Sequence, residues 1–556
     1  MTASRASPQN KSTTLAELLP RSAAHYPDHV ALAFPDEAIS YAELLERSMI
    51  VARGLVSKGV RPGDNVGLLA PNSPEFAEGF FGAALIGAVL VPLNVRYRAA
   101  ELSYIIEHAQ LTAVLTTDRV AARTDFCKTL AEAVPGLDSA DAGECLNLPS
   151  APHLRSVAML QGAGGPGCLG AAEFRQSAST VDISAVARMR SGVTPSDPAL
   201  ILYTSGTTAR PKGCVITQES IVRASMQRTA EAVPFPEPRA GRALWHPLPF
   251  FHIAAMQAFV YCIGAGVTLL TDVYLDADRA VDHIKKWRAT SLWPGFIAAM
   301  RSLMDSSAFD PEELRSISSI VTGGPSKDLR RIQEMLPWAT IVNGSGMSEM
   351  AGFYCLSHVD DTLEERATSV GKLLSGFEAR LLDPVTGAVV ADGELGELLL
   401  RGYSMMSHYY RDPERTAETI DAGGWLRTGD LFRRLASGHM IFEGRLKDML
   451  KVGGENVPAV EVESFLCGHP HIRDAAIVGI PDPRLDEVPV AFVEQEPGAE
   501  LSEHDVIAFC RSRIASFKVP RAVYFMAAVD WPRSATKLDK RALRTMALDH
   551  LKPTAE

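Results

Sequence analysis

Short apolar stretches alternate with helix-like stretches along about the first 450 residues of the chain. The stretch from about Pro74 to Ile86 predicts a helix between two apolar stretches. Strand, loop and helix in this repeated order are typical of an α/β fold in which parallel sheets are covered by helices. The predicted strands are "NVGLLA" (65–70), "AVLVPL" (88–93), "ALILYTSG" (199–206), "GVTLLT" (266–271), "TSLWPG" (290–295) and "SISSIVTGG" (316–324).

The pattern changes after about Asp448. The stretches "DAAIVGIPD", "VPVAFVEQ" and "AVYFMAAV" read as strands, and helices are predicted near 458–466 and 502–514. This predicts a separate, compact α+β module at the C-terminal end.

Two segments are predicted to carry no site. Residues 137–196 are rich in Gly, Ser and Ala and read as a surface excursion. Within them "GAGGPG" (162–167) fits G-x-G-x-x-G after the strand-like "SVAML". Pro166 and the lack of a predicted amphipathic helix after it argue against a dinucleotide loop.

Membrane spans and export are not predicted. The apolar run 79–91 is too short and stops at Pro92. The run 253–270 is uncharged, but Gln257 and the Gly264-Ala265-Gly266 break divide it into a short helix and a strand-like segment. The polar N-terminus "MTASRASPQNKSTT" has no apolar signal core, so we expect a cytoplasmic protein.

Length, net charge and cysteine content limit the classes of function that the chain can have. A length of 556 residues predicts two or three domains. A net charge of −11 argues against nucleic acid or an anionic membrane as partner. The eight cysteines form no C-x-x-C pair, which argues against disulfides or a zinc site of that type. The chain also lacks the G-x-S-x-G motif that carries the nucleophile of many serine hydrolases.

The stretch "YTSGTTARPKG" (203–213) directly follows a predicted strand. Ligands of parallel sheets bind at the carboxyl ends of strands. Hydroxyls and unhindered backbone N–H groups suit phosphate oxygens, and Lys212 adds a mobile charge. The spacing does not fit the P-loop of nucleotide hydrolases. Taken alone, the stretch is also compatible with a solvated turn.

Six further stretches follow, and their order resembles the order of the motifs in the adenylate-forming superfamily. This superfamily comprises acyl-CoA synthetases, peptide-synthetase adenylation domains and beetle luciferases. The resemblance covers roughly residues 15–545. The stretches are "LPFFH" (248–252), "VTGGP" (321–325), "SGMSE" (345–349), "GWLRTGD" (424–430), "EGRLKDMLKVGGENV" (443–457) and "PRSATKLDKRAL" (532–543).

The resemblance implies two domains. Residues 1–446 would form a large N-terminal adenylation domain, with parallel sheets covered by helices and a β-barrel-like subdomain, that binds ATP and the acid. Residues 447–556 would form a small mobile domain that carries the catalytic Lys537 and turns about a hinge at Lys447. A homodimer is compatible with the resemblance.

The resemblance also implies roles for single residues. Ser348 would contact the phosphate or the acyl carboxylate, Glu349 and Thr204 would hold Mg²⁺, and His252 would stand between the carboxylate and the thiol entrance. Asp430 and Arg445 would bind the ribose. The other residues implied to bind ATP or coenzyme A are Ser205, Gly206, Thr207, Thr208, Lys212, Gly323, Gly324, Pro325, Ser345, Gly346, Met347, Lys447, Gly453 and Gly454.

Two positions depart from the family pattern. Ser345 stands where the family usually has an aromatic ring that stacks on adenine, and Thr536 stands where it usually has glycine before the catalytic lysine. Serine cannot stack, so adenine binding would lose roughly 0.5–1.5 kcal/mol. The charged residues of the chemistry are kept, so these departures bear on affinity rather than on reaction type.

The resemblance implies ATP-dependent activation of a carboxylic acid to an acyl-adenylate, followed by thioester formation with coenzyme A. An amino acid substrate is not expected, because His252 stands where amino-acid-activating relatives carry an aspartate. A hydrophobic acid of fair size is expected: medium or long acyl, aromatic or polycyclic. The residues predicted to line its pocket are Phe250, Phe251, Ile253, Ala254, Ala255, Met256, Trp293, Gly295, Phe296, Met350 and Ala351.

Three alternatives stay open at this point. The enzyme could hand its acyl-adenylate to a carrier protein or a partner ligase, or it could be a luciferase-like oxygenase. A catalytically silent binding homologue is a third reading, for which Ser345 and Thr536 are the only hints. Intact Asp430, Arg445, Glu349 and Lys537 argue against it.

Overall fold

The computed structural model describes residues 14–204, 210–232, 241–453, 455–511, 513–534 and 537–550, without the side chains of 228–232, 456, 534 and 537. Its helices alternate with strands, as the sequence pattern predicts. The helices are Leu15–His25, Tyr41–Ser57, Pro74–Leu85, Ala99–His108, Phe126–Ala133, Ala171–Ala178, Ile183–Ser191, Gln218–Ala232, Ile253–Ala265, Ala277–Lys286, Ile297–Met304, Ser326–Met335, Leu363–Thr368, Pro413–Thr419, Ala459–Cys467, Glu503–Arg511 and Lys540–His550, and the 3₁₀ turns are Leu137–Ser139, Pro311–Leu314, Ser348–Met350, Leu446–Asp448, Ser516–Lys518 and Ala528–Asp530.

Two large sheets, mostly parallel, dominate the described chain. The first sheet has the spatial strand order Thr340–Val342, Ser319–Gly323, Ser291–Phe296, Ala243–Trp245, Thr268–Leu270, Val30–Ala33 and Ala38–Ser40, with only the last pair antiparallel. The second sheet has the order His408–Tyr409, Lys212–Thr217, Pro198–Thr204, Val89–Pro92, Asn65–Leu69, Ala113–Thr117 and Ser156–Gln161, with only its first two pairs antiparallel.

Antiparallel strands form the next part of the chain. A third sheet consists of Phe377–Leu382, Leu395–Gly402, Leu426–Arg434 and Met440–Arg445. A three-stranded sheet of Gly344–Met347, Gly352–Leu356 and Lys372–Leu373 joins it through a bridge between Lys372 and His439. These two sheets correspond to the subdomain that the resemblance implies.

The C-terminal module is built on a fourth sheet. Its strands are Glu455–Pro458, Met449–Val452, Asp486–Gln495, Ile472–Asp482 and Ala522–Phe525, and a short ribbon pairs Arg533–Ser534 with Lys537–Leu538. Strands and helices alternate here as the sequence predicts, and the module has its own hydrophobic clusters.

The helix Pro74–Leu85 lies at the centre of the N-terminal part. Ser73 caps it by accepting a hydrogen bond from the Phe76 amide at 3.3 Å, and Pro74 occupies its first turn. Every residue of the helix is buried. A helix that is buried all round must lie between layers, so it joins the cores of the packed elements.

The apolar run 253–270 forms the helix Ile253–Ala265 and the strand Thr268–Leu270, as predicted. Gly266 ends the helix in the left-handed region with φ of +73°, where a side chain would also collide with the Tyr26 ring. Among the described residues, no helix is both long and apolar enough to cross a membrane.

Two predictions about residues 137–196 are wrong. The segment "SVAML" belongs to the edge strand Ser156–Gln161 of the second sheet, with mostly buried side chains, so this region is not only a surface excursion. A helix, Ala171–Ala178, does follow "GAGGPG". Alanine-rich helices with few apolar residues give weak periodicity, and here only three residues of the helix are buried.

Candidate functional site

The strand Pro198–Thr204 ends at the hydroxyl-rich loop and pairs with Lys212–Thr217, which begins after it. Thr204 and Lys212 are Cα partners across this pair. The loop residues Ser205, Gly206, Thr207 and Thr208 lie outside the described residues. The two residues that flank the loop are thereby held side by side at one end of the sheet.

Lys212 and Glu349 meet at this position. Glu349 is buried, and its Oε1 lies 3.2 Å from Lys212 Nζ. The Tyr409 hydroxyl donates to the same oxygen at 3.0 Å and accepts a hydrogen bond from Lys212 Nζ. Burial and the neighbouring Glu349 raise the pKa of Tyr409, so this hydroxyl stays a donor. The sequence predicted both Lys212 and Glu349 but not Tyr409.

The oxygen donors near Glu349 suit a magnesium ion. Mg²⁺ is bound through one or two protein oxygens together with substrate phosphates and water. Glu349 offers a buried carboxylate. Thr204 Oγ1 is buried and has no hydrogen-bond partner among the described residues. A hydroxyl left in this state is available to a ligand or an ion.

A sharp turn positions the segment Ser345–Glu349. The strand Gly344–Met347 leads into the 3₁₀ turn Ser348–Met350, and Ala351 then adopts the left-handed region with φ of +49°. The Glu349 carbonyl accepts from the Met406 amide at 2.7 Å. A strained backbone conformation of this kind persists only when contacts with the surrounding residues hold it in place. Ser348 is half-buried at the start of the turn.

Glycine is required at Gly346, because a Cβ there would lie 2.7 Å from the Gly352 carbonyl group. Met347 follows as a half-buried residue that packs against the main core. The paired strands Gly344–Met347 and Gly352–Leu356 therefore approach each other too closely for a side chain at this point.

Ser345 hydrogen-bonds to a buried tyrosine. Its Oγ lies 2.8 Å from the Tyr354 hydroxyl, and the Tyr354 ring is fully buried beside Phe432. Burial raises the pKa of Tyr354. The aromatic ring nearest to Ser345 in this pair is thus enclosed in the core rather than presented at the surface of the strand.

Asp430 and Arg445 are directly opposite each other in the third sheet. Arg445 Nε lies 3.2 Å from Asp430 Oδ1. Asp430 is buried, and its backbone amide donates a hydrogen bond to Thr428 Oγ1 at 3.1 Å. Arg445 is nearly half exposed. A buried carboxylate oriented by a guanidinium can accept two hydroxyl groups.

The backbone at 321–325 ends the strand Ser319–Gly323 and starts the helix Ser326–Met335. Gly323 is half-buried, and Gly324 is exposed. A Cβ on Gly324 would lie 2.8 Å from Ile297 Cβ, so the chain passes this residue closely. Pro325 is the residue that precedes the helix.

Asn72 holds the segment "LPFFH", a role that the sequence did not indicate. Its amide nitrogen donates to the Leu248 carbonyl at 2.9 Å, and its oxygen accepts from the Phe250 amide at 2.7 Å. His252 is half-buried at the start of the helix Ile253–Ala265, with its ring 4.6 Å from the Phe251 ring. Asn72 thus fixes the backbone that leads to His252.

Most of the residues predicted to line an acid pocket lie in the core. Phe250 stacks on Phe259 at 5.1 Å, and Trp293 stacks on Tyr261 at 5.9 Å. The buried members are Phe250, Phe251, Ala255, Met256, Trp293, Met350 and Ala351. The members that keep exposed surface are Ile253, Ala254, Gly295 and Phe296. Large apolar side chains give the same pattern in a core and in a pocket wall.

The C-terminal module approaches the Asp430–Arg445 pair. A cavity of about 320 Å³ lies between Arg445 and Asp448 on one side and module residues such as Glu463 and Lys540 on the other. Lys447 is exposed in the 3₁₀ turn Leu446–Asp448 at the entrance to the module.

Three other predicted residues lie in the module itself. Gly453 has φ of +59°, and its amide donates to the Leu485 carbonyl at 2.8 Å. Gly454 lies outside the described residues. Lys537 pairs with Ser534 in the short ribbon, and its side chain is not described. The structure therefore describes only the backbone position of Lys537.

Comparisons with known proteins identify the family of the chain. The family model described as "AMP-binding enzyme" matches residues 19–410, and "AMP-binding enzyme C-terminal domain" matches residues 461–536. The solved structure "Crystal structure of ATP bound MatB from Rhodopseudomonas palustris" is similar to this chain with a TM-score of 0.82 at 25% identity. The match covers 97% of this chain and 100% of that chain.

Curated relatives match over nearly their whole length. "Putative acyl-CoA synthetase YngI" of Bacillus subtilis is 29% identical, over 97% of this chain and 97% of the relative. "3-[(3aS,4S,7aS)-7a-methyl-1,5-dioxo-octahydro-1H-inden-4-yl]propanoyl:CoA ligase" of Mycobacterium tuberculosis is 33% identical over 97% and 99%. "Medium-chain acyl-CoA ligase ACSF2, mitochondrial" of Danio rerio is 28% identical over 96% and 88%.

Proposed function

Since this chain belongs to the AMP-binding enzyme family, we propose that Glu349, Lys212 and Asp430 hold the nucleotide while a hydrophobic carboxylic acid is converted to its coenzyme A thioester. The chain is an acyl-CoA synthetase of the adenylate-forming superfamily. It uses ATP to form an acyl-adenylate and then transfers the acyl group to coenzyme A. What we propose beyond this is which residues bind the nucleotide and which class of acid is the substrate.

The observation that carries the proposal is the cluster of Lys212, Tyr409 and Glu349 beside the hydroxyl-rich loop. A buried carboxylate next to a lysine provides both signs of charge at the end of a strand. Such an arrangement suits polyphosphate, because the lysine neutralises phosphate oxygens and the carboxylate can hold a cation.

The first half-reaction joins the acid to AMP. A carboxylate oxygen of the acid attacks the α-phosphorus of ATP, the bond to the β-phosphate breaks, and pyrophosphate leaves. Phosphoryl transfer of this kind requires positioning and charge neutralisation rather than covalent help from the protein. We assign these tasks to Lys212, to the loop from Thr204 to Thr208, to Ser348 and to Lys537.

Glu349 and Thr204 would hold Mg²⁺, because their oxygens suit this ion. The ion, when bound, neutralises charge on the phosphates of ATP. Lys212 pairs with Glu349. We propose that Lys212 turns from Glu349 to the phosphates when ATP binds, which releases Oε1 of the carboxylate.

Asp430 and Arg445 would bind the ribose hydroxyls, because their cross-strand pairing fixes the carboxylate in one orientation. The backbone of Gly323, Gly324 and Pro325 and the strand from Ser345 to Met347 would line the adenine and acyl groups. Ser345 offers no ring, so adenine would gain no aromatic stacking from this residue.

The second half-reaction forms the thioester. The sulfur of coenzyme A attacks the acyl carbonyl, the bond to AMP breaks, and the thiol loses its proton. We propose that residues 447–556 turn about Lys447 between the two half-reactions. This movement would withdraw Lys537 and present Gly453 and Gly454, while His252 lines the path between acid and thiol.

We propose a hydrophobic acid because the surface that stays accessible beside His252 is apolar or small: Ile253, Ala254, Gly295 and Phe296. The names of the relatives agree, since one refers to medium-chain acyl groups and another to a bicyclic propanoyl group. A cytoplasmic location and a homodimer stay predictions, and one relative is mitochondrial by name.

Pyrophosphate release across a panel of acids tests this function. The panel contains octanoate, dodecanoate, benzoate, a bicyclic propanoate and, as a polar control, malonate, each with and without coenzyme A. The proposal expects sustained release only with coenzyme A and a hydrophobic acid, with a thioester of the matching mass. Turnover that is confined to malonate would contradict the proposed acid class, and a single burst that coenzyme A does not change would contradict the proposed acceptor.

A further inference from the structure

A group of metal-ligand side chains lies outside the site described above. Within the described chain, Asp361, Glu365 and His439 each offer one ligand atom, and these atoms lie within 4.8 Å of one another. We propose that the three residues bind a divalent transition-metal ion, with Zn²⁺ as the probe. This proposal is independent of the acyl-transfer chemistry.

The first argument is the burial of the His439 side chain. This side chain is 1% exposed, and its Nε2 makes no hydrogen bond with any described residue, although Asp361 Oδ1 lies 3.3 Å away. A buried imidazole nitrogen without a hydrogen bond is costly and calls for a ligand. Two ligands of a tetrahedral zinc ion are about 3.3 Å apart, given zinc–ligand distances of about 2.0–2.1 Å.

The second argument is the hydrogen bonding behind each ligand. His439 Nδ1 lies 2.9 Å from Ser437 Oγ. The Asp361 Oδ2 atom accepts from the His358 amide at 2.6 Å, and Glu365 Oε2 accepts from the Thr362 amide and hydroxyl, both at 2.8 Å. One oxygen of each carboxylate is thus held from behind, while Asp361 Oδ1 lies beside His439 Nε2 and Glu365 Oε1 lies 3.9 Å from His439 Nδ1. Metal ligands in proteins are oriented in this way.

The donor set indicates the type of ion. One imidazole nitrogen with two carboxylate oxygens suits Zn²⁺, with water as the fourth ligand, better than it suits Mg²⁺ or Ca²⁺, which prefer oxygen alone. Two carboxylates also balance the charge of a divalent ion.

Two basic residues lie near the group. Lys372 Nζ is 3.9 Å from Asp361 Oδ1, but its side chain is half exposed and can turn to solvent. Arg366 donates to the backbone carbonyls of Val359 and Asp361 instead of to the carboxylates. Lys372 is therefore a competitor of the metal for Asp361, and its removal should strengthen metal binding.

The position suggests what the ion would do. Asp361 and Glu365 belong to the loop and helix before the strand Lys372–Leu373, and His439 lies in the turn before the strand Met440–Arg445. Asp430 and Arg445 are at the opposite end of the same hairpin. An ion held by the three residues would cross-link the two antiparallel sheets and hold the hairpin that carries the ribose-binding pair.

The test measures zinc binding by the tag-free chain after treatment with a chelator, in the absence of nucleotide. Elemental analysis gives the stoichiometry, and calorimetric titration with ZnCl₂ gives the affinity. We expect one zinc ion per chain at this site, and at least a tenfold loss of affinity in His439→Gln and in Asp361→Asn, since even outer-shell changes cost about 10–100-fold. Tetrahedral Co²⁺ absorption should disappear in the same variants.

Three matched variants separate this site from other sources of binding. His358→Gln changes an exposed neighbour that faces Asp360, and Cys145→Ser removes an exposed thiol, so both should bind zinc like the wild type. Lys372→Met should bind it more tightly. Glu365→Gln serves as a further ligand variant in case His439→Gln does not fold.

If the wild type and the ligand variants take up equal amounts of zinc, the proposal is overturned. The same holds if none of them takes up zinc. His439 would then contact the two carboxylates without a metal ion. Weaker zinc binding in Lys372→Met would overturn it as well, because the lysine would then support the site instead of competing for it.

Discussion

At the scale of single residues, the sequence indicated the charged residues of the proposed nucleotide site but not the residues that hold them in place. Glu349, Lys212, Asp430 and Arg445 stand in motifs whose residue types and order are visible along the chain. Tyr409 is far from all of them in sequence, and only the edge pairing of His408–Tyr409 with Lys212–Thr217 brings it to Glu349. A single tyrosine in a two-residue edge strand gives no sequence signal of such a role.

The Tyr409 hydroxyl should matter for adenylation. A hydrogen bond to a buried charged group contributes about 1.5–3 kcal/mol, which corresponds to at least about tenfold. Tyr409→Phe should therefore lower kcat/KM for ATP in acid-dependent ATP–pyrophosphate exchange by at least about tenfold. Tyr410→Phe is the matched control, since Tyr410 bonds to Asn65 and Gln110 instead. Equal activity of the two variants would contradict the role of Tyr409.

The Ser345–Tyr354 pair can be tested by a double-mutant cycle. Ser345→Ala removes a partner of the buried Tyr354 hydroxyl and should cost about 1–3 kcal/mol of unfolding free energy. Adding Tyr354→Phe should restore part of this loss, because no polar group is then left buried. Urea denaturation of the four proteins measures the coupling. Strictly additive losses would mean that the two hydroxyls do not depend on each other.

At the scale of elements, strands with continuous apolar runs were predicted well, and the exceptions have physical causes. Asn65–Leu69, Pro198–Thr204 and Ser319–Gly323 are buried runs that end in small or polar residues. The edge strand Ser156–Gln161 was missed as part of the sheet because it lies in a region rich in Gly and Ala. Most residues of the predicted acid pocket are buried, and burial in a core and in a pocket wall leaves the same apolar pattern, so this pocket stays a prediction.

His246 connects two parallel strands of the first sheet and should make stability depend on pH. It follows Ala243–Trp245, and its Nδ1 donates to the Trp293 carbonyl at 2.5 Å. Burial lowers the pKa of His246 from 6.5 to about 4. The unfolded chain therefore takes up the proton first as the pH falls, and stability is full above about 6.5 and declines toward 4.

The expected loss from this histidine is about 2 kcal/mol between pH 7.5 and pH 5. Urea denaturation at the two pH values should show this loss in the wild type and a smaller loss in His246→Gln. An unchanged pH dependence in His246→Gln would mean that another group takes up the proton.

At the scale of the whole molecule, ion pairs join the C-terminal module to two helices of the N-terminal part. Arg473 Nη2 lies 2.6 Å from Asp305 Oδ2, and Lys327 Nζ lies 3.1 Å from Glu496 Oε1. Arg301 reaches the module at Asp474 over 3.4 Å. The partly exposed pairs of Arg473 and Lys327 contribute roughly 0–1 kcal/mol each, whereas Arg301 is buried and also donates to the Arg473 carbonyl at 3.0 Å. Docking of this strength is compatible with a module that moves during the reaction cycle.

Charge reversal tests the docking. Arg473→Glu should weaken it by about 1 kcal/mol, or about fivefold, and so speed cleavage by trypsin at the predicted hinge, which contains Lys447 and Lys451. The swap of Asp305→Arg with Arg473→Glu should restore the original rate. Arg330→Glu is the control, because its partner Glu364 lies within the N-terminal part. Cleavage that the swap fails to slow would count against this pair as a docking contact.

The central claim is that one active site serves both half-reactions and that the C-terminal module changes its role between them. Lys537→Ala, measured beside Lys518→Ala as a control lysine of the module paired with Glu461, tests this claim most directly. Acid-dependent ATP–pyrophosphate exchange reports the first half-reaction, and thioester formation from supplied acyl-adenylate and coenzyme A reports the second. We expect exchange to fall by at least about 100-fold, as for loss of one electrostatic contact to a transition state, with thioester formation largely kept. Equal losses in both half-reactions, or none in either, would contradict the account.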